Sequence, residues 1–557
     1  MPIKKEYFLY LIGGIILINA PALFSEIMEP DGALYAHIAK LMALHNDWIN
    51  LYTDGTDWLD KPHFPFWITA LSFKLLGISA FSYKLPAFIF WLVGIRFVYA
   101  FTKRLYNIAT AQLAVIIYIT ALHGAIALFD VRAEHYLTTL CIGSMYYLYK
   151  LYSNPKLKYI LAAAALTACA IMTKGIFILV TIVGGFALLW IITKQWRQFL
   201  RYQWWLFLLF SFVFIAPELY ALYVQFDLHP EKIVFGQNHV SGIRFFFWDS
   251  QFGRFFNNGP IKGKGDVSFF LHTTIWAFLP WSIILYTAVI SLFRKPKKGY
   301  NTHQWIIWGS ALVTFLLFSL SKFQLPHYII ILFPQFAIIS AHYLIKNEYN
   351  KKVVKSFLII QTIVFCITAA GIVALTIWYE LPRTIYIVVD IIISALIIYL
   401  FSYKAKRFFI IGTGIGFSLL LYPYLNIDFY PNLLQYQSGM VAAKWLNHNV
   451  SADTIGIYGT NSQTLKFYAH AYSKLLNSIQ EVSIFNEHKG KYIYTDTASL
   501  NDFVHAGLSY TIVQHYEHFP VSRLNAKFID HRTRSKEIST AVLIELQSAN
   551  SKHLEEK

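Results

Sequence analysis

Charge is what this chain has least of. Asp, Glu, Lys and Arg together make up 14% of its 557 residues, against 56% hydrophobic. A soluble protein of that length divides into several cores and covers them with more charge, so an ordinary soluble enzyme is excluded. Cysteine is also scarce. Cys141, Cys169 and Cys366 all lie in apolar runs, which leaves neither a disulfide framework nor a CxxC zinc spacing. Internal repeats and low-complexity tracts are lacking as well.

What fills the chain instead is a series of apolar runs of about 20 residues, the length that crosses a bilayer as a helix. They fall near 7–25, 82–101, 109–129, 134–152, 158–173, 175–193, 204–224, 271–293, 304–320, 325–345, 353–378, 384–402 and 407–425. The first follows Lys4-Lys5 and shows no clear small-residue cleavage motif, so it reads as an uncleaved helix. The formal charge of +17 is not a nucleic-acid footprint. Its basic clusters sit in short links: Lys103-Arg104, Lys194 to Arg201, Arg294 to Lys298, Lys346 to Lys355 and Lys404 to Arg407. With a cytoplasmic N-terminus every one of them lands inside, as the positive-inside rule requires. That agreement depends on cutting the apolar stretch 158–193 at Thr173-Lys174-Gly175. One uncut span there inverts everything downstream.

The fold class predicted is a polytopic α-helical membrane protein of about 13 spans, residues 1–426, with a soluble α/β domain at 427–557. The far side of the membrane then holds 26–81, 225–270 and that tail. In the tail, Asn432 to His448 has helical spacing. Thr454 to Tyr458, Lys491 to Tyr494, Tyr510 to Gln514 and Thr540 to Leu546 read as short strands.

Ionisable residues beside hydrocarbon are costly and tend to be functional, and here most fall on the outer connections. Asp31, Asp60 and Lys61 lie on the first, Arg132 and Glu134 on the turn before the fourth span, and Lys174 between the fifth and sixth. His239 and Arg244 lie on the loop after the seventh span, and Lys322 and His327 at the turn between the ninth and tenth. The topology lets these five connections converge on one polar pocket. Pro30 suits a helix start, which puts Asp31 and Tyr35 on one face at i and i+4. The plainer reading makes Asp31 a cap for that helix. Glu134 reads as a helix-start carboxylate at membrane level, with a local ion pair to Arg132 as its structural alternative. Lys61 stands among Trp58, Phe64, Phe66 and Trp67, a setting for a lipid phosphate or for snorkelling to ordinary headgroups. His239 and Arg244, beside Gln237 and Asn238, make a donor-rich segment suited to an anionic group or to packing against the tail. His327 reads as structural, and Glu218 has no role assignable from sequence.

Seven motifs occur in order: P-D-G-A-L-Y-A from Pro30, D-K-P-x-x-x-x-W from Asp60, V-R-A-E-H-Y-L from Val131, T-K-G from Thr173, N-H-x-x-x-x-R-F from Asn238, F-L-P-W from Phe278 and S-K-x-x-L-P-H-Y from Ser321. Over roughly residues 7–345 the chain resembles the bacterial branch of the protein O-mannosyltransferase superfamily, which includes the lipid A aminoarabinose transferases. The resemblance implies a GT-C fold and an inverting glycosyltransferase. It implies a polyprenyl-phosphate sugar donor, used on the outer face of the bacterial cytoplasmic membrane, and an acceptor that is a glycolipid such as lipid A, a protein or a surface glycan. By the match, Asp31 and Glu134 are the catalytic carboxylates, and Lys61, His239 and Arg244 contact the donor phosphate. Tyr35, Asp60, Arg132, Lys174, Lys322 and His327 are pocket candidates. No cofactor is required, and a divalent metal is left open. Asp31-Gly32 stands where the family often has Asp-Glu, and Asp60-Lys61-Pro62-His63 where it often has Glu-Lys-Pro-Pro. The rival from another class is a transporter or flippase of lipid-linked sugars, which predicts midplane polar residues and paired broken helices. A membrane scaffold with a partner-binding tail is the third reading.

Overall fold

A computed structural model describes residues 2–293, 302–382, 384–404, 406–451 and 453–547. Each of the thirteen apolar stretches falls on helix. The first ten helices after the start are α1 (Lys5–Asn19), α2 (Asp31–His45), α3 (Phe64–Leu76), α4 (Ala80–Leu105), α5 (Ile108–Ile119), α6 (Leu122–Phe129), α7 (Ala133–Ser153), α8 (Leu157–Lys174), α9 (Ile178–Ile192) and α10 (Tyr202–Phe214). The later apolar helices include Trp305–Leu320, Phe333–Lys346, Lys351–Tyr379 and Lys406–Pro423.

By length and composition, eight helices among the described residues qualify as membrane spans. A ninth is added if α5 and α6, bent by 51° at their junction, make one. Four more are apolar but shorter: α3, α9, Ser282–Leu292 and Ile387–Phe401. The basic cluster Arg294 to Lys298 lies outside the described residues.

The Pro62–Pro65 run lies at a helix start and not in a helix interior. α3 begins at Phe64 with Pro65 in its first turn, where a missing N–H leaves no bond unmade. The helix expected over Asn432 to His448 is two pieces, Tyr430–Leu434 and Ser438–Asn449. Between them Gln437 turns its side chain to another part of the molecule.

Helices meet through small residues. Gly185 of α9 lies against the backbone of Ile306 and Ser310, and a Cβ there would overlap the Ile306 carbonyl. Such close approach is how helices gain contact in lipid, where burial of apolar surface offers little between them.

A short antiparallel pair, β1 (Tyr52–Thr53) and β2 (Thr56–Asp57), lies between α2 and α3, and the tail forms a five-stranded mixed sheet. Its strands are β3 (Thr454–Tyr458), β4 (Tyr472–Leu476), β5 (Tyr492–Asp496), β6 (Tyr510–His518) and β7 (Ser539–Leu546). β3 pairs in parallel with β4 and β5, and β7 runs antiparallel between β5 and β6. β3 coincides with the sequence reading, whereas β4 was not foreseen. Ile455, Ile457, Tyr494 and Leu543 pack on one face of the sheet with Ala442 and Leu446 of the helix Ser438–Asn449. That helix and Gln463–Tyr468 lie between the sheet and the membrane part.

The connection from α2 to α3 is pinned rather than loose. The Gln225 side chain accepts from the Leu51 N–H at 3.0 Å and donates to the Leu51 carbonyl at 2.9 Å and to Asp57 at 2.8 Å. Lys232 adds an ion pair to Asp57 at 2.9 Å.

Candidate active site

A cavity of about 190 Å³ opens where α2, α3, α7 and the end of α8 meet the loop after α10. Asp31, Tyr35, Asp60, Lys61, Arg132, Glu134, Lys174 and His327 all line it. Five stretches of chain thus converge, as the topology suggested.

Asp31 is the first residue of α2 but makes no cap there; no side-chain hydrogen bond closes that helix start. Its carboxylate instead accepts from Arg132 Nη1 at 2.5 Å. Arg132 also donates through Nε to Asp130 at 2.7 Å. Burial works against the Arg132 cation, but Asp130 and Asp31 outweigh it and raise its pKa. The Asp31 side chain is 36% exposed and lines the cavity. Tyr35, one turn on, packs edge-on against Trp58 and Phe66. Burial, with Asp31 and Asp60 nearby, pushes its phenol well above the usual range.

Glu134 does not pair with Arg132, as the local alternative had it. It is 2% exposed and accepts from Lys174 Nζ at 2.5 Å, with His327 Nε2 at 3.9 Å. Lys174 ends α8, where Gly175 takes a left-handed φ of 99° and a Cβ would collide with the Gln251 amide. Only glycine fits there without strain, and it lets Gln251 donate to the Lys174 carbonyl at 3.2 Å. The ammonium of Lys174 lies 3.4 Å from the centre of the Tyr328 ring, a cation–π contact.

Asp60 carries two cations. Lys61 donates to it at 2.7 Å, and Arg254 donates to its other oxygen and, at 3.3 Å, to its carbonyl. Burial would raise the Asp60 carboxyl, but Lys61 and Arg254 overcome this and hold it below the usual range. Burial lowers Lys61 against the pull of Asp60. Charge at the pocket is therefore uneven. Two cations, Lys61 and Arg254, share the Asp60 carboxylate, and two carboxylates, Asp31 and Asp130, share the Arg132 cation.

Three sequence-predicted residues stand outside this pocket. His239 is exposed, with a left-handed φ of 58°. Arg244 is 74% exposed and reaches only Asp249, at 3.7 Å. Lys322 is exposed, while its backbone N–H donates to the Phe255 carbonyl at 3.1 Å. The reason is local. Asp227 accepts from Ser241 Oγ and, at 3.2 Å, from the Ile243 N–H, which folds the 227–243 segment back on itself. The chain then runs through a wide π-type turn, Phe245–Gly253, and delivers Arg254 to the cavity instead. Sequence reasoning missed Arg254. Its only signal was a lone cation inside the aromatic run Phe252 to Phe256.

Glu218 also acquires a partner. Its carboxylate accepts the His63 backbone N–H at 3.0 Å and lies 3.0 Å from His63 Nδ1, with both side chains at 1% exposure or less. His63 Nε2 faces the Ile49 carbonyl at 2.8 Å. A carbonyl can only accept, so Nε2 carries a proton, and Nδ1 and Glu218 share another. This pair anchors the turn that follows Asp60-Lys61.

Among the described residues no group of three or more His, Cys, Asp or Glu side chains gathers closely enough to hold a metal ion.

Residues 60–220 match the family model described as dolichyl-phosphate-mannose-protein mannosyltransferase. An undecaprenyl phosphate-alpha-4-amino-4-deoxy-L-arabinose arabinosyl transferase of Edwardsiella ictaluri (strain 93-146) is 27% identical over 325 residues, 57% of this chain and 55% of that one. An uncharacterized protein of Aquifex aeolicus (strain VF5) is 23% identical over 402 residues, 70% of this chain and 73% of its own length. The chain thus spans just over half of the Edwardsiella relative. The crystal structure of ArnT from Cupriavidus metallidurans bound to undecaprenyl phosphate superposes with a TM-score of 0.73 over 98% of both chains, at 17% identity. The chain has the GT-C fold. The family match and this GT-C architecture agree with the resemblance drawn from the seven motifs. The match to ArnT runs through the tail as well, which no motif had covered.

Proposed function

We propose that this chain is an inverting glycosyltransferase that moves a sugar from a polyprenyl-phosphate donor to an acceptor on the outer face of the cytoplasmic membrane. The observation that carries the reading is the uneven charge of the pocket. As the bond between sugar C1 and the phosphate oxygen breaks, its electron pair passes to the lipid phosphate. Lys61 and Arg254, sharing one carboxylate, stabilise that developing charge as fixed cations in a water-poor site. Lys174, held by Glu134, stands beside them. Asp31 takes the proton of an acceptor hydroxyl as it attacks C1. An acceptor that is already a phosphate has no such proton, and Asp31 then only orients it. One displacement inverts the anomeric centre without a covalent intermediate. The donor in the relatives' name, undecaprenyl phosphate-alpha-4-amino-4-deoxy-L-arabinose, is the first to assay, with a lipid A-type glycolipid as the first acceptor tried.

The Lys61→Ala variant is expected to raise the KM for donor at least tenfold while the acceptor dependence stays put. An unchanged donor KM removes Lys61 from the phosphate site. The accompanying topology has about 13 spans, a cytoplasmic N-terminus and an extracytoplasmic domain at 427–557. A periplasmic-only enzymatic reporter fused after residue 557 is expected to be active, and a reporter active only in the cytoplasm breaks this arrangement.

A further inference from the structure

The segment that leads into α2 is not held by the membrane helices alone. The Ile27 N–H donates to the Tyr468 hydroxyl at 2.8 Å. Gln437 accepts from the Glu29 N–H at 2.7 Å and donates to the Ile27 carbonyl at 3.0 Å. One carboxylate oxygen of Glu29 takes three bonds: Ser462 Oγ at 2.7 Å, the Thr464 N–H at 2.6 Å and Thr464 Oγ1 at 2.7 Å. Gln437, Ser462 and Thr464 are themselves buried. Every partner of Ile27 and Glu29 in this set comes from the tail, and the grip closes two residues before Asp31. The first bonds of α2, Ala33 N–H to Met28 O at 3.2 Å and Leu34 N–H to Pro30 O at 3.0 Å, start within the gripped segment.

From this juxtaposition we infer that Glu29 is a positioning residue, and that the 427–557 domain sets the place of Asp31 through it. The inference rests on the transferase reading above and gives the tail a part in that reaction. The physical argument concerns tolerance. A catalytic group displaced by about 1 Å costs on the order of 100-fold in rate. Asp31 sits at a helix start, where intrahelical bonds are fewest. Its backbone therefore depends on what holds residues 27–30, and the tail supplies four side chains for that purpose: Gln437, Ser462, Thr464 and Tyr468. Lys466 pairs with Asp54 in the next connection, so the Asp60-Lys61 loop is tied to the same small helix. All three bonds to Glu29 fall on one oxygen. Glutamine can present its amide oxygen to the same donors, and alanine cannot.

The test uses the full chain in lipid-doped detergent micelles, with synthetic undecaprenyl-phosphate aminoarabinose as donor and lipid A as acceptor. Glu29→Ala is expected to lower kcat by ten- to hundredfold with the donor KM within twofold of the parent, whereas Glu29→Gln keeps at least a third of kcat. Amide exchange in the peptide 27–36 is expected to speed up in Glu29→Ala and in Thr464→Val but not in Glu29→Gln, with the membrane helices still protected. A Glu29→Ala protein with parental kcat overturns the proposal. So does a loss of kcat accompanied by loss of protection throughout the molecule, which marks a structural role only. A parent that transfers no sugar from polyprenyl-phosphate donors to lipid, protein or glycan acceptors of the envelope removes the transferase reading and the proposal with it. An active parent with an indifferent Glu29→Ala removes the proposal alone.

Discussion

Asparagine in place of Asp31 is expected to lower sugar transfer by about 10²- to 10⁴-fold, the usual contribution of a positioned general base. Donor binding should hardly move, because Lys61 and Arg254 pair with Asp60 and not with Asp31. The substitution is nearly isosteric, and Arg132 keeps its bond to Asp130, so the folded yield should match the parent. Steady-state transfer assays with separate titrations of donor and acceptor decide the matter. Turnover within threefold of the parent shows that Asp31 removes no proton. In that case a phosphate acceptor, which needs no base, becomes the stronger alternative.

The second large effect concerns stability. Glu218→Ala leaves His63 with a backbone N–H and a ring nitrogen buried and without their acceptor. Breaking a buried pair by removing one member typically costs about 3–5 kcal/mol. Glu218→Gln should be far milder. Its amide oxygen can accept the His63 N–H and its amide can donate to Nδ1, while Nε2 keeps its bond to Ile49. Thermal unfolding of the purified protein, followed by tryptophan fluorescence, should therefore separate the two variants clearly. A Glu218→Ala protein that melts with the parent shows that water or a rearranged loop takes the place of the carboxylate. The turn carrying Lys61 follows His63 in such a rearrangement, so donor use is a second readout.

What the sequence revealed and what it hid follow a pattern. Long apolar runs marked the helices, because a membrane helix must satisfy its own backbone and so announces itself locally. Asp31, Lys61, Glu134 and Lys174 were legible for the related reason that charges next to hydrocarbon are rare. Arg254 was not, since choosing it over Arg244 depends on how many residues a wide turn consumes between them. A π-type turn adds a residue relative to regular helix, and nothing in F-F-F-W-D-S-Q-F-G declares one. β4 escaped notice because Tyr472–Leu476 has the alternation of an exposed segment and becomes a strand only beside β3. The partners of Glu29 and Glu218 were invisible for want of any local rule. Glu29 meets Thr464 across 435 positions, and His63 meets Glu218 across 155.

Lys40 of α2 points its ammonium at the carbonyls of Lys466, Phe467 and Ala469, at 2.7–2.9 Å and 426 to 429 positions away. During synthesis that lysine emerges early, and its three acceptors leave the ribosome only when most of the polypeptide has been made. Until then α2 carries a bare cation into the place where it must finally lie under protein. The helices made first can thread into lipid as they appear, but the face of α2 that carries Lys40 cannot settle until residues 466–469 have been made and folded against it.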